Sequence, residues 1–275
     1  MGNLWKGFKE HRTFRFTSLL VILLIALVVL APVIAPYNPL EAVMKDANQA
    51  PSMAHLFGTD KLGRDVLSRI LYGGAYSLSS VLALVVIIFC VGTFLGLVAG
   101  YFGGLIDTVI MRIADMMISF PGVILAIAIA GIMGGSLVNA MIALTAVTWT
   151  KYARLSRSMV FKIRKRDFVD AAIVSGGTSS HILWTHIMPN EVPILVITAV
   201  SDIGAMMMEL AGLSFLGFGS QPPAPEWGLM LNEGRQQLQT APWLMVFPGL
   251  AIFISVVIFN LWGDALRDVL DPRDQ

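Results

Sequence analysis

Charge is what this sequence has least of. Asp, Glu, Lys and Arg make up 13% of its 275 residues, about half their share of an ordinary soluble domain. That scarcity excludes a conventional water-facing surface. The 19 Lys+Arg against 18 Asp+Glu exclude the strongly basic balance by which a chain holds nucleic acid. The single cysteine, Cys90, excludes an intrachain disulfide. Catalytic patterns are absent too. There is no His-Glu-x-x-His, no paired-cysteine ligand spacing, no Gly-x-Ser-x-Gly and no complete Walker sequence. Gly58 and Gly63 have the glycine spacing of a phosphate loop, but Arg64-Asp65 follow where Lys and Ser/Thr are needed to meet phosphate and magnesium. His181 and His186 stand five residues apart, off a common α-helical face, and read as ordinary polar residues rather than metal ligands. The chain therefore carries no cofactor and no energy source of its own.

What is abundant is apolar sequence, 56% of the chain. About 20 apolar residues cross a bilayer as a helix, and six candidate spans follow: 17–36, 77–101, 107–132, 136–151, 192–213 and 243–263. The sequence thus predicts an all-α polytopic membrane protein. The run 17–36 is longer than the apolar part of a signal peptide, about 7–15 residues, and its end lacks an A-x-A-like site. It reads as a retained first span after a short segment, 1–16. The fourth span is short before Lys151 and continues helically through Arg157.

One polar island interrupts the apolar chain. Between 151 and 166 lie Lys151, Arg154, Arg157, Lys162, Arg164, Lys165 and Arg166. With an inside N-terminus, the other side receives only Lys45, Lys61, Arg64, Arg69 and Arg235. Lys6, Lys9, Arg12, Arg15, Arg112, Arg267, Arg273 and the island stay within. The positive-inside rule therefore places both termini and the island in the cytoplasm. External loops fall at 37–76 and 214–242, a long cytoplasmic loop at 151–190, and a short polar tail at 264–275.

Several local features carry expectations. Leu62, Val66, Leu67 and Ile70 recur at helical spacing and predict a short amphipathic helix in the first external loop. Gly92, Gly96, Gly100 and Gly104 recur every fourth residue and predict a groove for close helix approach. Arg112 and Asp115 are spaced to pair on one face, and Phe120-Pro121-Gly122 predicts a break, static or hinged. Asp202 and Glu209 lie two turns apart in one span, with Met206 between them. Ionisable groups at depth face a polar interior, so these are candidates for a translocation path or for a pair satisfied by neighbouring helices. Glu226 suits the first turn of a helix running to about residue 239. Trp227 and Trp243 suit a membrane interface.

The segment after the island carries a resemblance. Asp170-Ala171-Ala172-x3-Gly176-x9-His186-Ile187-Met188-Pro189 resembles the cytoplasmic EAA loop of ABC importer permeases, Glu-Ala-Ala-x3-Gly-x9-Ile-x-Leu-Pro. Asp170, His186 and Met188 depart from that pattern. Gly58-Thr-Asp-Lys-Leu-Gly-Arg-Asp-Val-Leu-Ser-Arg69, Ser214-Phe-Leu-Gly-Phe-Gly219, Pro225-Glu-Trp-Gly228 and Gly263-Asp-Ala-Leu-Arg-Asp-Val-Leu-Asp-Pro272 are similar to the second permease of the dipeptide/oligopeptide/nickel importer group.

The resemblance implies a type I ABC importer permease fold in the inner membrane of a prokaryote. It implies a homologous permease partner, two ATPase subunits that hold ATP and Mg inside, and a substrate-binding protein outside. It assigns ATPase coupling to Asp170, Ala171, Ala172, Gly176, His186 and Pro189. Here small residues allow close approach, glycine allows a turn, and Ile182, Leu183 and Ile187 supply an apolar face. The substrate is a peptide or a nickel chelate. Ser201-Asp202-Ile203-Gly204-x-Met206-Met207 looks closer to nickel-type members, while peptide-type members are more numerous. The alternative is an ion-coupled secondary transporter, for which Asp115, Asp202 and Glu209 would supply buried charge; the structured basic loop argues against it.

Overall fold

A computed structural model describes residues 11–270. Its regular elements are helical, and the one strand-like feature among the described residues is a single bridge between Thr59 and Asp65. Lys6, Lys9 and Arg273, used above to orient the chain, lie outside the described residues, as do Asp271 and Pro272. The long elements are α1 (Arg12–Val29), α2 (Val66–Phe102), α3 (Gly104–Ile118), α4 (Gly122–Met133) and α5 (Leu137–Ile163). They continue as α6 (Asp167–Val174), α7 (Met188–Phe215), α8 (Trp227–Gly234) and α9 (Trp243–Leu270).

Length and composition qualify α1, α2, the run Ser179–Phe215 and α9 to cross a membrane, and the α3–α4 pair adds a fifth span if counted as one. α5 packs among them, yet its second half is basic and it does not qualify by composition. The six expected spans thus correspond to four unbroken helices, one bent pair and a half-charged α5. Large apolar side chains such as Phe16, Leu19, Ile22 and Val86 stay exposed, where lipid is the matching solvent.

Glycine decides the central contact. α2 and α5 form the most extensive helix pair. A Cβ at Gly92 would meet Trp149 and Tyr152, one at Gly96 would collide with the Ala153 carbonyl, and one at Gly100 would stand 2.8 Å from Val160 Cβ. Without a hydrophobic drive between helices in lipid, this close backbone approach is what the pair gains by lacking side chains. Gly104 is not part of the groove. It follows Gly103 in left-handed backbone, φ 56° and 65°, with nothing within 4 Å, and the two glycines break α2 from α3.

The amphipathic helix expected around 62–70 does not exist as a separate element. Asp65 caps α2, its side chain accepting from Ser68 N at 2.8 Å, so Val66 begins the 37-residue α2 itself. Leu62 precedes it in a compact loop. That loop is fixed by Arg64 and Arg69, 2% and 1% exposed. Arg64 Nε meets Asp60 at 2.6 Å, while Arg64 Nη2 and Arg69 Nη2 meet Glu233 of α8 at 3.1 and 2.7 Å. Buried arginines need such charge-paired, hydrogen-bonded surroundings.

Both tryptophans donate to backbone carbonyls. Trp227 is buried and donates to the Ile70 carbonyl at 2.9 Å, and Trp243 donates to the Thr59 carbonyl at 3.2 Å. They fasten α8 and the start of α9 to the segment 59–70. Glu226, expected in the first turn of a helix to about residue 239, instead caps α8 from the position before it, accepting from Gly228 and Leu229 N at 2.8 Å each, and α8 ends at Gly234. The polar tail as far as Leu270 is the end of α9, and it is not wholly solvated, because Ala265, Leu266 and Val269 bury one face beside Phe14.

Candidate functional site

The polar island folds as an elbow. α5 extends to Ile163, well past Arg157. Two of its basic side chains are spent on α3: Arg154 Nη2 meets Asp115 at 2.5 Å, and Arg157 clasps Asp107 through Nε and Nη2. The expected Arg112–Asp115 pair is therefore replaced by a bond between helices. α3 meets α4 at 94° across the Ser119–Pro121 break, which leaves α3 free to lie along α5.

After Arg166 turns the chain in extended backbone, α6 begins with Asp167 and Asp170 in its first turn, where acids suit the helix dipole. α6 closes with Gly176 in left-handed backbone, φ 82°, and Gly177 N bonded to the Ala172 carbonyl at 3.0 Å. No atom lies within 4 Å of a Cβ built at Gly176. It is the backbone angle, not crowding, that calls for glycine there. Thr178 then caps the turn Ser179–Ile182 by accepting from His181 N.

The next five residues, Leu183–Ile187, form a π turn leading into α7. A π turn brings residues five apart onto one side. His181 and His186, expected off a common face, therefore lie with ring centroids 5.7 Å apart, nearly perpendicular. Among the described residues no third ligand joins them as a metal site.

The elbow's apolar face is also reassigned. Ile182, Leu183 and Ile187 are buried with Leu97, Val160 and Val169 in a small core of their own. They hold the elbow to the bundle. The outward apolar side chains are Phe168, Ile173, Val174 and Trp184, with Val174 89% exposed. Asp170, Ala171, Gly176 and Pro189 are exposed beside them, and Ala172 and His186 are partly covered.

Inside the bundle, Asp202 is held by two neighbours on α5. Lys151 Nζ donates to its two oxygens at 2.7 and 2.8 Å, and the Tyr152 hydroxyl donates to Oδ2 at 2.9 Å. Glu209 is half-buried and makes no hydrogen bond or ion pair among the described residues. Met206 is 5% exposed in the main apolar core, where it packs rather than lines an opening. A cavity of ≈ 450 Å³ reaches Lys151, Asp202 and Arg267.

Two groups here escaped the reading of the sequence. Tyr152 sits beside Lys151, an aromatic hydroxyl next to a cation, and could have been paired with the acid of the fifth span. Glu191 is fully buried at the start of α7, bonded to the Ser156 hydroxyl at 3.0 Å. It follows Pro189-Asn190 at the edge of an apolar run, the placement in which an ionisable residue signals a role.

Residues 92–273 match the family described as binding-protein-dependent transport system inner membrane component, and residues 1–51 match the N-terminal TM domain of oligopeptide transport permease C. The glutathione transport system permease protein GsiD of Pectobacterium atrosepticum is 42% identical over 270 residues, 98% of this chain and 90% of that protein. The dipeptide transport system permease protein DppC of Alkalihalophilus pseudofirmus is 40% identical over 269 residues, 98% of this chain and 88% of that protein. A chain of the MetNI methionine ABC transporter, solved in inward-facing conformations, superposes with a TM-score of 0.53 at 19% identity, over 72% of this chain and 96% of that one.

Proposed function

The chain belongs to the family of binding-protein-dependent transport system inner membrane components, and from that premise we propose that it is one of two paired permeases of a peptide importer. The observation that carries this reading is the elbow: apolar Phe168, Ile173, Val174 and Trp184 stand exposed at the charged end of the molecule. Neither water nor lipid suits them there, and a groove on an ATPase subunit does. ATP and Mg belong to two such partner subunits, and the external loops receive a substrate-binding protein. The elbow end and both termini are cytoplasmic.

Coupling follows from the connectivity. α6 rests on the same small core as the turn that enters α7, and α7 carries Asp202 and Glu209. A displacement of Asp170, Ala171, Ala172, Gly176, His186 and Pro189 by an ATPase is passed to α7 as a rigid lever, which alters the path those acids line. The substrate class is peptide, as the names of the glutathione and dipeptide relatives suggest. A nickel chelate would reach the thioethers of Met206 and Met207 only after they left the core, where they are 5% and 1% exposed.

The test is Gly176→Glu in the assembled transporter. Uptake and ATPase co-purification are expected to fall together while the amount of permease in the membrane holds. Normal coupling in that variant would overturn the docking assignment. Gradient-driven transport by this chain alone in proteoliposomes would favour an ion-coupled carrier instead.

A further inference from the structure

We infer that the cavity between α5, α7 and α9 is an exit subsite for zwitterionic peptides, with Asp202 taking the ammonium end and Arg267, joined by Lys151, taking the carboxylate. The inference deepens, and rests on, the reading of the chain as a peptide permease. Its volume, ≈ 450 Å³, falls within the about 300–1,000 Å³ of small-molecule sites. It begins at the depth of Asp202 and extends past Ile197 and Ile194 on α7 and Leu270 on α9, towards the elbow end of the bundle.

The charges around it are arranged for exchange. Asp202 has a side-chain exposure of 14%, and its partner Lys151 of 54%. An acid this covered is costly to leave without a cation, and Lys151 supplies one while the cavity is empty. A peptide ammonium can replace the Lys151 ammonium at Asp202 one for one, so the acid never stands uncompensated. The displaced Lys151, on an exposed and flexible stem, then faces the same cavity as Arg267, which forms no ion pair among the described residues. Two cations and one anion are a complement to a molecule bearing one charge of each sign, with a surplus that favours the carboxylate. Guanidinium is suited to bidentate carboxylate recognition.

The walls read little else. Thr198 and Ser201 spend their hydroxyls on the carbonyls of Ile194 and Ile197, at 2.9 and 3.0 Å, and the remaining lining is aliphatic. The cavity thus recognises peptide ends and not side chains, as a carrier of varied peptides requires. Exchange, rather than new strong contacts, also keeps binding weak enough for release.

The test uses the whole transporter, assembled with its partner subunits in phosphatidylcholine proteoliposomes. Cys90 is replaced by Ser and Thr198→Cys is the reporter for maleimide labelling, with Ser201→Cys as a second reporter. Dialanine is expected to slow labelling about tenfold and its C-terminal amide far less, with protection lost in Arg267→Gln and in Asp202→Asn. Protection that survives Arg267→Gln, equal protection by the amide, or no protection at either reporter would overturn the subsite. Slowed labelling in phosphatidylglycerol vesicles without peptide would assign the cations to a lipid headgroup and also overturn it. Uptake of dialanine is measured on the same vesicles, so absence of any peptide uptake points to failure of the functional reading itself.

Discussion

Lys151 and Asp202 join α5 to α7 through a forked contact, one ammonium against two carboxylate oxygens at 2.7 and 2.8 Å. The two ends are unequally exposed, 54% for Lys151 and 14% for Asp202. Their single replacements should therefore differ. Lys151→Met leaves the covered acid with only the Tyr152 hydroxyl and should lower stability by about 1–3 kcal/mol. Asp202→Asn leaves Lys151 to solvent and should cost less. Combining the two should recover most of the loss. Thermal unfolding of the detergent-solubilised protein, read as a double-mutant cycle, checks this ordering.

The α2–α5 contact predicts a steep dependence on side-chain size. Gly96→Ala should destabilise by about 1–3 kcal/mol, because its Cβ meets the Ala153 carbonyl and backbone cannot give way as a side chain can. Gly96→Leu should prevent accumulation of folded protein. Gly122→Ala, whose Cβ meets only Val147 at 3.4 Å, should be tolerated on contact grounds. Melting temperatures and membrane yields measure the series.

Elbow residues should divide by the side they face. Val174→Ser and Trp184→Ala are expected to leave the melting temperature within about a degree, as surface changes do, while ATPase co-purification falls. Ile187→Ser removes a fully buried side chain and should lower the melting temperature itself. Loss of ATPase binding only in the Ile187 variant would return the docking surface to the buried residues.

Glu226 predicts a pH effect outside the spans. Burial pushes its carboxyl above the usual range, against the opposing hydrogen bonds from Gly228 and Leu229 N. A glutamate whose folded pKa is raised contributes stability that is full below its ordinary pKa and is lost as pH rises through the shifted one. Melting temperature should therefore decline across that interval, and Glu226→Gln should flatten the decline. An unchanged slope in Glu226→Gln would remove Glu226 as its source.

Much of the fold was legible because lipid imposes simple requirements. Helix length, apolar composition and the spacing of Gly92, Gly96 and Gly100 are local properties, and a bilayer admits few alternatives to a helix. The Pro121 break and the cap at Glu226 are likewise set by neighbouring residues. The elbow was legible as an element, since Asp170, Ala171, Ala172 and Gly176 form a helix and its left-handed stop within a few positions.

What only the tertiary structure decided was which groups share a neighbourhood. Asp115 pairs with Arg154 and not with Arg112, three residues away, because the break at Pro121 lays α3 along α5. Ile182, Leu183 and Ile187 turned inward, since Leu97 and Val160 offered them a core. The histidines met because a π turn changed the helical period beneath them. Asp202 found Lys151 and Tyr152 from 51 and 50 residues away in the chain. By itself the sequence determined most of the helical segments, which of them are long and apolar enough to cross a membrane, and where a flexible angle is required, because those depend on residues a turn or two apart. Pairing of charges and the sides of the elbow depend on how helices cross, and that is decided only when the whole chain packs.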